Sequence, residues 1–155
     1  MKTLMKAVFT IAAFASLGIA ADKPNFTGSW KLDPDKSTFG PIPPPSSMTR
    51  KIDHTDPALN LTEDRSGPQG DQTLVFKYST DGKETTNELM GNPVKATAVW
   101  DGGSLVINMK ADFGGNEIKL TDKWTLSDDG KTLTDAQHIA APQGEIDITY
   151  VMKKP

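Results

Sequence analysis

The chain has 155 residues, 17 basic against 20 acidic side chains, two histidines and no cysteine. Its two arginines, Arg50 and Arg65, and lysines scattered singly apart from the Lys153-Lys154 tail argue against a nucleic-acid or anionic membrane surface, which needs clustered basic groups. The lack of cysteine removes disulfide staples, thiol nucleophiles and thiolate metal sites from consideration.

Lys2 and Lys6 precede a largely apolar run from Ala7 to Ala15, and small residues follow at Ser16, Gly18 and Ala20. This order predicts a cleaved secretory signal over residues 1–20 and a mature domain over residues 21–155, exported to the periplasm or secreted. The expected mature domain carries 15 basic and 20 acidic groups, a net charge of −5. It is expected to be monomeric, with no stable membrane insertion once the signal is removed.

The mature part opens on Phe26-Thr27-Gly28-Ser29-Trp30-Lys31-Leu32, a strand-like run around a glycine-x-tryptophan pair. From Asp33 to Ser47 the chain includes Pro41, Pro43, Pro44 and Pro45, which exclude a helix or a central strand and predict a segment that wraps the outside or covers one end. Beyond it, turn signals recur at Asp81-Gly82, Gly91-Asn92-Pro93, Asp101-Gly102-Gly103, Gly114-Gly115-Asn116, Asp129-Gly130 and Pro142-Gln143-Gly144, as hairpin loops with positive φ require.

The runs between these turns alternate with a period of two. Leu74, Phe76 and Tyr78 share a face, as do Val94, Ala96, Ala98 and Trp100, and Leu105, Ile107, Met109 and Ala111. So do Ile118, Leu120, Asp122, Trp124 and Leu126, and finally Ile146, Ile148, Tyr150 and Met152. This is the pattern of half-buried strands. It predicts an all-β fold, an up-and-down antiparallel barrel of about ten strands. A barrel of that size either fills its interior with side chains or holds one small ligand.

On the opening Gly28-Ser29-Trp30-Lys31-Leu32, the ten-run meander and the stretch from Val94 through Asp101-Gly102-Gly103 to Leu133, the chain resembles the intracellular fatty-acid-binding proteins and the wider calycin group that includes lipocalins. It is also similar to small exported bacterial lipocalin-like proteins. The resemblance covers nearly all of the mature chain in pattern and is specific in residue identity at the first strand. It implies a barrel whose first-strand Gly28 and Trp30 close the base and whose interior carries hydrophobic ligands. Where fatty-acid-binding proteins place two short helices, this chain has its proline-rich segment. Where they place an Arg-x-Tyr carboxylate clamp on the last strand, it reads Tyr150-Val151-Met152. Without that bidentate anion clamp, the resemblance implies a neutral or weakly polar apolar ligand.

Strand parity selects the lumen candidates, because the face richer in large apolar groups turns inward. They are Arg50, Ile52, Phe76, Tyr78, Ala96, Ala98, Ile107, Met109, Asp122, Trp124, Tyr150 and Met152. Ala96 and Ala98 are small and opposite larger residues, which leaves space, and methionine adapts to irregular apolar guests; the other reading is that all of these are ordinary core. Arg50 shares parity with Met48, Ile52 and His54, and an internal charge needs a partner, for which Asp122 and Glu88 are the candidates. Asp122 either faces in and finds a partner or is turned outward by a bulge.

No catalytic constellation, cofactor motif or metal-ligand spacing is readable. His54 and His138 stand alone, and Asp53 and His54, as strand neighbours, point to opposite faces, so His54 reads as a surface histidine. The Asp33-Pro34-Asp35-Lys36-Ser37 stretch starts like a calcium loop but lacks its glycine and terminal glutamate. Three roles remain: a carrier of a small apolar ligand, a protein-binding barrel acting through its loops, or a cavity enzyme without an identifiable acid–base pair.

Overall fold

The structure, a computed structural model, describes residues 22–155; the expected signal over residues 1–20 lies outside them. Ten strands follow in chain order: β1 (Gly28–Leu32), β2 (Ser47–Thr55), β3 (Ala58–Gly67), β4 (Gly70–Ser79), β5 (Thr85–Leu89), β6 (Asn92–Asp101), β7 (Ser104–Phe113), β8 (Asn116–Leu126), β9 (Thr132–Ala141) and β10 (Gly144–Lys153). They form one antiparallel sheet in the order β4-β3-β2-β1-β10-β9-β8-β7-β6-β5. Every neighbour is sequential except β1 with β10, whose pairing of Lys31 with Lys153 and Leu32 with Met152 brings the two ends of the domain together. The expected all-β meander of about ten strands is thus present.

The tube has one seam. No backbone ladder joins β4 to β5, the two ends of the strand order. Instead the Asn87 side chain stands in for a peptide group: its Oδ1 accepts from the Lys77 amide at 2.6 Å and its Nδ2 donates to the Lys77 carbonyl at 3.1 Å.

β1 is short, and the chain after it prolongs its pairing with β10. Thr38 exchanges two backbone hydrogen bonds with Thr149, at 2.9 and 2.8 Å, and the Asp33 amide donates to the Val151 carbonyl at 2.8 Å. Among the described residues the one helical piece is a 3-10 turn at Pro34–Lys36, so the proline-rich segment replaces any helical lid. Proline cannot donate to a ladder, and from Phe39 to Pro45 the chain leaves the wall and crosses the end of the barrel that carries the β3–β4 hairpin.

The opposite end is solid. Phe26, ahead of β1, is fully buried; it stacks on His54 and Trp100 at 5.8 and 6.0 Å and meets Trp124 edge-on at 5.6 Å. Trp30 is 1% exposed and donates its indole N–H to the Phe26 carbonyl at 2.9 Å, with the Lys154 ammonium 4.9 Å over its outer face. Gly28 has φ +146°, and a Cβ there would come within 2.9 Å of the Lys154 side chain. Glycine at this position serves the backbone angle, while the lysine end is a flexible neighbour that can shift.

Candidate functional site

Above the aromatic floor the barrel is hollow. A cavity of about 230 Å³ is walled by apolar side chains from most strands, among them Leu61, Leu74, Phe76, Val94, Met109, Ala111, Leu120, Ile139 and Ile148. Its polar lining is Arg50, Glu63, Arg65, Gln72, Tyr78, Asp122, Gln137 and Tyr150. A second hollow of about 160 Å³ lies between the Phe39–Pro45 segment and the β3–β4 hairpin. The two share Ile42, Arg65, Gln72 and Tyr150, so these four residues form the neck between inside and outside.

Of the lumen candidates, Arg50, Phe76, Tyr78, Met109, Asp122, Trp124 and Tyr150 line this cavity. Ile52, Ala96, Ala98, Ile107 and Met152 are buried, none more than 2% exposed, but they stand outside it. Ala98 and Ile107 are register partners on β6 and β7, near the level of the Trp100–Leu105 pair. At that end the interior space beside small residues is taken by Phe26 and the indoles of Trp100 and Trp124. Phe26 precedes the first strand, and strand parity says nothing about such a residue.

Arg50 is the centre of the polar group, and its partners differ from those expected. Its Nε donates to Glu63 Oε2 at 2.6 Å and its Nη1 to Asp135 Oδ2 at 2.8 Å, while Glu88 lies on the outer face of β5 and Asp122 bonds elsewhere. The correction follows from register: Arg50 pairs directly across the ladder with Glu63. Arg65 Nε reaches the other Glu63 oxygen at 2.8 Å, and the Arg50 guanidinium lies between the rings of Trp124 and Tyr150 at 5.6 and 5.4 Å. Parity with Leu59 and Leu61 on β3 was the available sign that Glu63 turns inward, and parity with Leu133 was the sign for Asp135.

The electrostatics follow from burial. Desolvation opposes the Arg50 charge, but Glu63 and Asp135 outweigh it and raise the guanidinium further. Burial likewise raises the Glu63 carboxyl, yet Arg50 and Arg65 hold it below its usual range. At Asp135, which is fully buried, desolvation prevails over the attraction of Arg50 and the carboxyl is raised. Its second oxygen and the Trp124 indole N–H, on register partners of β9 and β8, have no hydrogen-bond partner among the described residues.

Asp122 faces inward at 4% exposure. The β7–β8 ladder runs without a bulge from Phe113–Asn116 to Leu105–Trp124, which removes the outward alternative. Its Oδ1 accepts from Gln137 Nε2 at 2.9 Å. Burial first, and the neighbouring Asp135 charge second, push this carboxyl well above the ordinary carboxylate range. The same burial, with Asp122 close by, pushes the Tyr78 phenol up.

His54 also departs from expectation. It is buried at 4% exposure rather than on the surface, because Phe26 folds over it; its Nδ1 accepts from the Phe26 amide at 3.3 Å. Asp53 points the other way and is exposed, so the histidine serves the floor.

No family model and no curated protein sequence matches the chain. Among solved structures it is similar to zebrafish ileal bile acid-binding protein complexed with cholic acid, with a TM-score of 0.58 and 18% identity over 84% of this chain and 98% of that one. Secretory abundant heat soluble protein 4 from Ramazzottius varieornatus gives a TM-score of 0.56 and 18% identity over 87% and 97%. The Schistosoma mansoni fatty acid binding protein in complex with arachidonic acid gives 0.50 and 13% over 84% and 96%. At these identities the likeness is one of architecture. The chain has the calycin fold, in the ten-stranded form of the fatty-acid-binding-protein barrel.

Proposed function

We propose that this protein is an exported carrier that holds one small, mainly apolar molecule in the upper half of its barrel. The observation that carries the reading is the cavity of about 230 Å³, apolar over most of its wall and continuous at its neck with the hollow under the proline-rich segment. Small-molecule sites are of this kind, an apolar recess with a few placed polar groups. Burying an eight-carbon chain there contributes about 6 kcal/mol before the cost of association. Two of the similar barrels were solved in complex with cholic acid and with arachidonic acid, which supports an apolar guest.

The polar groups argue against a carboxylate guest. Two of the five N–H donors of Arg50 are engaged by Glu63 and Asp135, and an entering anion meets three inward carboxyls. The leader expected at residues 1–20 supports work outside the cytoplasm, in the periplasm or the medium. Native mass spectrometry of the protein secreted by its own host, purified without detergent, tests the reading. It predicts a single retained adduct of a few hundred daltons or less; mass peaks of the bare polypeptide alone, after mild desolvation, contradict it.

A further inference from the structure

The charged groups of the lumen do not balance among themselves. Glu63, Asp122 and Asp135 face inward, against Arg50 and Arg65. Glu63 receives both guanidiniums and Asp135 receives the second arm of Arg50. Asp122 is left with one neutral partner, the Gln137 amide, and among the described residues no basic nitrogen lies within ion-pair distance of it. An unpaired carboxylate in an apolar wall is costly, so in the empty barrel Asp122 keeps its proton, consistent with the upward push from burial and Asp135.

We infer that the guest is a hydrophobic amine, a small apolar body ending in one ammonium group that pairs with Asp122. This inference rests on the lumen being the ligand site. An ammonium brings three N–H donors, and three residues of the cavity wall carry an acceptor without a donor assigned to it: the second Asp122 oxygen, the Gln137 carbonyl oxygen and the lone pairs of the Tyr78 hydroxyl. Gln137 commits its N–H to Asp122 at 2.9 Å and Tyr78 directs its O–H to Met109 Sδ at 3.6 Å, which leaves both oxygens free to accept. Phe76, Tyr78 and Trp124 in the wall bring aromatic rings near a bound cation.

The proton balance is explicit. The ligand arrives as an ammonium, Asp122 gives its proton to solvent, and two guanidiniums plus one ammonium then face three carboxylates. The groups facing Asp122 are Asp135 on β9, Arg50 on β2, Glu63 on β3 and Tyr78 on β4. The ammonium relieves the repulsion between Asp122 and Asp135, so affinity rises with pH until Asp122 ionises without it.

Calorimetric titration of the secreted protein with n-octylamine, n-octanol and n-octanoate at pH 6, in two buffers of different ionisation enthalpy, tests this. Octylamine is expected to bind at least about tenfold more tightly than octanol, as a charge-assisted hydrogen bond implies, with octanoate weakest. Net proton release is expected on octylamine binding and none on octanol binding. Asp122→Asn is expected to bring the amine-to-alcohol affinity ratio to about one. Octanol or octanoate binding as tightly as octylamine, or octylamine binding with no proton released, overturns the inference and leaves the carrier reading in place. Failure of all three to bind overturns both.

Discussion

Arg50 on β2 and Asp135 on β9 meet at 2.8 Å inside the barrel although 85 residues separate them in the chain. β1 and β10 lie between their strands, so this contact, with the Arg50–Glu63 bond at 2.6 Å, ties the first hairpin to the last across the weakly laddered join of the two termini.

Removing the arginine strands two buried carboxyls. Arg50→Met is expected to cost about 3–5 kcal/mol, the usual penalty for deleting one partner of a buried ion pair. Urea denaturation followed by tryptophan fluorescence reads it. A loss below about 1 kcal/mol means the cluster is hydrated and the upper barrel is open to water.

Asp122 gives stability a pH dependence of definite sign. Its carboxyl is raised in the folded state, so the folded protein keeps a proton that the unfolded chain releases above about pH 4. Its contribution is whole below that pH and is lost as pH rises toward the folded value. The stability of the parent protein relative to Asp122→Asn is therefore expected to fall by about 1.4 kcal/mol per pH unit across that window. Asp135 acts in the same direction and Glu63, whose carboxyl is lowered, in the opposite one at lower pH; because the Asp135 charge acts on Asp122, the comparison reads Asp122 together with that coupling. Parallel curves for the two proteins show that Asp122 ionises freely.

The floor is a packed core. Phe26→Ala and Trp30→Ala are each expected to cost about 3–5 kcal/mol, since both residues are 1% exposed or less and each contacts the other's residue through the Trp30 indole bond. Thermal unfolding checks this, and a loss below about 1 kcal/mol for Trp30→Ala marks a peripheral tryptophan.

Ala111 lines the cavity at the level of Val94 and Ile118. Ala111→Phe places a ring in empty space, so it is expected to block octanol uptake in calorimetry while shifting stability by less than about 1 kcal/mol. Undiminished uptake puts the guest elsewhere.

The seam rests on one side chain. Asn87→Ala removes both bonds to Lys77 and is expected to cost about 1 kcal/mol, with faster hydrogen exchange of the Lys77 amide by NMR. Unchanged exchange means that other contacts close β4 onto β5.

Much of the barrel was legible because strand alternation and glycine turns are local. Leu105, Ile107, Met109 and Ala111 read as one inward face and are one, and the proline run read as a segment that wraps the outside or covers one end, of which the structure shows the second. What local pattern does not contain is who meets whom across the tube. Arg50 finds Glu63 through hairpin register and Asp135 through barrel closure, and neither follows from spacing along the chain. His54 read as exposed because the residue that covers it, Phe26, comes from outside any strand. The division of the interior into a filled lower half and a hollow upper half has the same origin: Ala98 and Ala111 look alike in sequence, and only the position of Phe26 and the indoles separates them.

The central claim is a hollow upper barrel that admits a guest. Methyl chemical shifts of isotopically labelled protein titrated with n-octanol test it most directly. The account predicts saturable shifts at Leu61, Leu120 and Ile148, which line the cavity, with Leu105 and Leu133 at the closed end left in place. Shifts confined to outward residues such as Val75 and Val99, or equal shifts at both ends, contradict it.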